Sequence, residues 1–62
     1  MMQARVEFWH DGRWCFNCFA YGKTEQETEA TGIAAARSLW RSGVAGVRVT
    51  VQQERVALEH MR

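Results

Sequence analysis

The sequence predicts an α+β domain: an antiparallel three- to four-stranded sheet with one helix packed on one face, in the order ββαβ or ββαββ. Three observations predict it. Residues 4–9 and 47–52 alternate apolar and polar side chains, the mark of half-buried strands. Asp11-Gly12 stands between two apolar runs, a strong hairpin signal. Residues 25–42 carry apolar side chains at helical spacing behind a capping sequence.

The first strand comes from Ala4, Val6 and Phe8 alternating with Arg5, Glu7 and Trp9. The second runs from Trp14 through Tyr21. Two registers are open for this hairpin. A two-residue loop pairs Trp9 with Trp14 and places Trp14, Phe16 and Cys18 away from Val6 and Phe8. A three-residue loop, closed by Gly12 as a bulge, pairs Trp9 with Arg13 and gathers Val6, Phe8, Trp14, Phe16 and Cys18 on one dry face. The second is preferred because it makes a single core face.

Thr24-Glu25-Gln26-Glu27 is a capping box, and Glu25, Glu27 and Glu29 sit where the helix dipole favours acids. Gly43 suits the position just past the helix end, so the helix is expected over 25–42. Its apolar stripe is Gly32, Ile33, Ala36, Leu39 and Trp40. Val47, Val49 and Val51 give a third strand its inward face. Residues 55–60 alternate more weakly and make a candidate fourth strand, turning near Gln53-Glu54 without a Gly, Asn or Asp to mark the turn.

With 62 residues the chain is one small domain, 1–62. A core of this size supplies roughly 3–5 kcal/mol, so homodimerisation stays open as a source of extra stability. Net charge is +1. Nucleic-acid binders usually carry a clear basic excess, which makes direct nucleic-acid binding the less favoured alternative. No secretory h-region or membrane-length apolar run is present, so a cytoplasmic protein with no membrane partner is expected.

Cys15-Phe16-Asn17-Cys18 has a C-x-x-C spacing, but a structural zinc needs four ligands and only His10 and His60 are further candidates of the usual soft type. On a regular strand the two thiols point to opposite faces. No metal and no cofactor are therefore expected. Neither histidine is near a plausible nucleophile, and a helix on a small sheet leaves little room for a substrate pocket, so no catalytic residues are assigned. Gly43-Val44-Ala45-Gly46 lacks the Lys-Ser/Thr ending of a phosphate loop.

The aromatic pattern carries the functional expectation. The second sheet face has no covering layer in the sequence. Trp9 lies on it in either register, and the preferred one adds Phe19 and Tyr21, with Arg5, Arg13 and Arg48 around them. Aromatics with arginine are the usual anchors of protein interfaces, and RNA-binding sheets stack bases on similar sets. Trp9, Arg5, Arg13, Phe19, Tyr21 and Arg48 are thus the expected partner-binding residues, with Trp9 the anchor. Trp14 and Trp40 are expected in the core.

The Gly22–Glu27 entry into an alanine-rich helix after a hairpin looks somewhat like the small antitoxins of the HicB type, although the rest of their partial RNase H-like fold is not visible. In size, architecture and Arg/Trp/Ala-rich composition the whole chain is similar to small phage-encoded inhibitors of the anti-CRISPR class. That class shares no motif, so no residue role carries over. The resemblance implies a non-catalytic inhibitor that docks on a larger protein or nucleoprotein complex in a bacterial host cytoplasm.

Overall fold

The chain first reverses at Asp11-Gly12, where both residues have positive φ, 50° and 77°. This is the mirror-image type I turn, whose twist matches that of the flanking strands. In the computed structural model, which describes residues 1–62, the turn joins β1 (Met2–His10) to β2 (Arg13–Gly22). The helix α1 (Glu25–Arg41) follows, then β3 (Gly46–Val51) and β4 (Arg55–Met61). The sheet order is β2-β1-β3-β4 with every neighbouring pair antiparallel. β2 and β3 therefore run parallel on either side of β1, and α1 is the crossover that links them. The α+β architecture takes its four-stranded form, ββαββ.

The helix ends form as the sequence predicts. The Thr24 hydroxyl accepts from the Glu27 amide at 3.1 Å, and the Glu27 carboxylate reaches back to accept from the Lys23 amide, also at 3.1 Å. Each bond satisfies a backbone donor that the helix itself leaves unpaired. Past the other end, Gly43 takes a φ of 101°. At that end the Arg62 guanidinium donates to the carbonyls of Val44 and Trp40. A cation is thus placed where the helix dipole favours one.

The core between α1 and the sheet is made of short side chains: Ala4, Val6, Ala20, Ala36, Val47, Val49 and Val51. Short residues let the helix come close. A Cβ on Gly32 would lie 2.8 Å from the Val49 Cγ1, so a side chain there would push the two layers apart. Thr28 is also fully buried, and its hydroxyl donates back to the Thr24 carbonyl at 2.8 Å, which satisfies it without a partner across the interface. None of the large aromatic side chains is fully buried.

The hairpin register differs from the expected one. His10 pairs with Arg13 and Trp9 with Trp14, the register of a two-residue loop. Further along β2 the pairing slips: Glu7 faces Phe16 while Val6 faces Cys18, leaving Asn17 as an extra residue in a bulge. The bulge breaks the alternation of β2. Cys18 and Ala20 face the helix, whereas Trp14 and Phe16 lie on the opposite side and do not join Val6 and Phe8. The dry face did not need them, because alanine and valine fill it. Trp40, expected in the core, packs against the core's edge without being fully buried. It is half-buried at the rim, 4.7 Å from the His60 ring edge-on, with the Arg62 guanidinium 3.9 Å above it.

The candidate fourth strand is present, and its turn uses unusual chemistry. Gln52 and Gln53 both have positive φ, 53° and 60°. The Glu54 amide closes the turn on the Val51 carbonyl at 3.0 Å, and the Gln52 amide crosses to the Gln3 carbonyl of β1 at 2.8 Å. Two glutamines in a conformation that favours Gly and Asn explain why the sequence carried no turn signal there. No helix is long and apolar enough to cross a membrane.

Candidate docking face on the open side of the sheet

The register fixes what lies on the sheet face away from α1. Read across the strands from β2 to β4, one row is Trp14, Trp9, Gly46 and Met61. The next is Phe16, Glu7, Arg48 and Glu59. A third is Phe19, Arg5, Thr50 and Val56. Tyr21 and Gln3 begin a fourth. Five aromatic rings thus share an uncovered face, all on β1 and β2.

The rings form two groups. Trp9 and Trp14 meet edge to face at 5.2 Å between centroids. Trp9 also abuts Gly46, where a Cβ would lie 3.1 Å from its own and would collide with the Met61 sulfur. The pair is therefore half-buried and braced by glycine and methionine. Phe16, Phe19 and Tyr21 form the second group along the β2 edge, at 4.9 Å and 6.4 Å between successive centroids. These are exposed: Phe16 by 53% and Tyr21 by 50%. The Asn17 bulge is what brings Phe16 and Phe19, three residues apart, onto one side.

Charge is interleaved with the rings. Glu7 is only 7% exposed although it stands on the open face. It accepts from the Arg48 Nε at 2.9 Å, and the Arg48 guanidinium lies over the Trp14 ring at 4.4 Å. A carboxylate with so little water needs this partner. Arg5 lies against Phe16 and Phe19, about 6 Å from each centroid, and keeps its charge exposed. The face carries Arg5 and Arg48 against Glu7 and Glu59, two positive and two negative charges, and is neutral.

Of the expected partner-binding residues, Trp9, Arg5, Phe19, Tyr21 and Arg48 share this face. Arg13 does not. It pairs with His10, whose ring stands 6.4 Å from that of Phe8, so Arg13 belongs to the helix side at the hairpin tip. Its expected place depended on pairing with Trp9. Trp14 and Phe16 are the face residues the sequence reasoning missed. The Asp-Gly turn was the available signal, because it favours the two-residue loop.

The cysteines require a second correction. The bulge puts Cys15, opposite Phe8, and Cys18, opposite Val6, on the same face of β2. Both are free and partly buried. No three His, Cys, Asp or Glu side chains converge anywhere in the chain. On the helix side Arg55 bridges to Glu29 at 2.6 Å and Glu25 at 3.3 Å. Its pKa is raised, first by the hydrogen bond it donates to the Glu29 carboxylate, against a smaller opposing effect of desolvation, and then by both acidic charges. This ties β4 to the first turns of α1.

No family model, curated protein or solved structure matches the chain.

Proposed function

We propose that the chain is a non-catalytic docking protein whose open sheet face binds a larger protein, in the manner of a small inhibitor. One observation carries the reading: five aromatic rings lie on an uncovered sheet face with no net charge. Interfaces enrich aromatics and arginine and deplete other charges at their centre. The two longer dimensions of the domain, 33 and 20 Å, give a face of the order of the roughly 800 Å2 per partner of a standard interface. A bacterial host protein or nucleoprotein complex, with the chain as a phage anti-defence inhibitor, is the partner class that the resemblance to small phage-encoded inhibitors of the anti-CRISPR class implies.

The exposed anchors are Phe16, Phe19 and Tyr21, with Arg5 between the first two. Immobilised protein is expected to retain a specific partner from bacterial lysate, and Phe19→Ala to weaken retention by about 2 kcal/mol, or roughly thirtyfold. Unchanged retention by Phe19→Ala and Tyr21→Ala together would remove this face from the reading.

A second reading rests on the line of Tyr21, Phe19 and Phe16 along β2 with Arg5 against the rings, a set on which single-stranded bases stack. The neutral face argues against it. Titration with single-stranded oligonucleotides at low salt separates the two: tight binding that weakens steeply with salt favours nucleic acid.

A further inference from the structure

The helix lies over β2, β1 and β3 and leaves β4 largely uncovered. Between α1 and β4 a cleft of about 350 Å3 opens, on the opposite side of the sheet from the docking face. Its walls are apolar, with Ile33 and Trp40 on the helix and Leu58 on the strand, and His60 stands against Trp40. Arg37 and Arg41 line it from the helix one turn apart. Both are exposed, and neither makes an ion pair, whereas Arg48 and Arg55 are both paired. No acidic residue lines the cleft. β4 is also a sheet edge, with backbone groups on its outer side free to pair.

We infer that this cleft is a second docking site, for an extended acidic segment of a partner protein. The segment adds to the outer edge of β4 as a fifth strand. A bulky apolar side chain enters between Trp40 and Leu58, and a neighbouring Asp or Glu meets Arg37 and Arg41. Three features select this occupant. The edge supplies the main-chain bonds of strand addition, and the cleft supplies the side-chain pocket that gives such binding its specificity. The two unpaired guanidiniums supply a charge complementary to a carboxylate and suited to paired hydrogen bonds with it. The irregularity between Val49 and Thr50, which leaves Ala57 as an extra residue, divides β4 into Arg55–Val56 and Leu58–Met61, and the cleft-lining Leu58 and His60 both lie in the second, four-residue stretch. The segment recognised is therefore short.

The test is selection from a displayed random-peptide library on the immobilised protein, followed by resynthesis of the selected peptides. The expected result is enrichment of a bulky apolar residue close to Asp or Glu. Titration of such a peptide should shift amide resonances of β4 and the second half of α1. The exposed double variant Arg37→Ala/Arg41→Ala should bind it at least about tenfold more weakly, with unchanged thermal unfolding. Phe19→Ala should bind it as the parent does, which separates this site from the open face. The inference is overturned if no acidic sequence is enriched, if the shifts fall on Phe16, Phe19 and Tyr21, or if the double variant binds equally well.

Discussion

Arg48 lies over Trp14, its guanidinium carbon 4.4 Å from the ring centroid, while its Nε donates to Glu7 at 2.9 Å. One side chain thus covers an aromatic ring and neutralises a nearly buried carboxylate. Arg48→Ala removes the partner and leaves the carboxylate stranded, which should cost about 2–3 kcal/mol, somewhat below the loss for a fully buried pair. Urea denaturation measures it. Glu7→Leu/Arg48→Leu should recover most of the loss, since an apolar pair needs no compensation. If the double variant is no better than Arg48→Ala, stacking on Trp14 matters more than the charge.

Gly32 should not tolerate alanine. In an exposed helix the change would gain about 1 kcal/mol. Here the added carbon meets Val49 at 2.8 Å, and overpacking of this kind costs roughly 1–3 kcal/mol. A net loss of stability is expected in thermal unfolding. A net gain would mean that the two layers separate freely.

The Gln52-Gln53 turn is open to improvement. Gln52→Asn/Gln53→Gly puts the favoured pair of the mirror-image type I turn where both φ values are already positive. The expected gain is about 0.5–1 kcal/mol, seen as a higher urea midpoint. No gain would show that these glutamines make compensating contacts.

Trp9 now has a structural share as well as a proposed docking one. Its ring is half-buried against Trp14 and Gly46, so Trp9→Ala should cost about 1–2 kcal/mol of stability, part of it from the aromatic pair. Phe16→Ala and Tyr21→Ala, on exposed rings, should stay within about 0.5 kcal/mol of the parent. Comparison of the three melting curves tests the division between brace and anchor.

The helix and its caps were legible because each signal is local: Thr24 with Glu27 at one end, Gly43 at the other. β3 was legible from strict alternation. The hairpin register was not, because alternation assumes one residue per step and Asn17 adds one. The choice of register also assumed that large aromatics belong inside. Val6, Val49 and Ala20 already fill that space, so Trp14 and Phe16 are left on the other side. Trp9 follows from alternation in either register, whereas Phe19 and Tyr21 were placed on the correct face for this wrong reason and Arg13 was lost with the register. The cleft beside β4 could not be read at all, since it depends on how far the helix reaches across the sheet.

A core of alanine and valine has a consequence for how this chain can vary over generations. The side chains that hold the two layers together are small and few, and the open face meets them only through the backbone of the strands they share. Substitutions at Phe16, Phe19 or Tyr21 leave that packing untouched. The face can therefore be rewritten while the scaffold beneath stays the same. Change at Glu7, Arg48 and Trp14 is tied together, because none of the three keeps its environment when another is replaced.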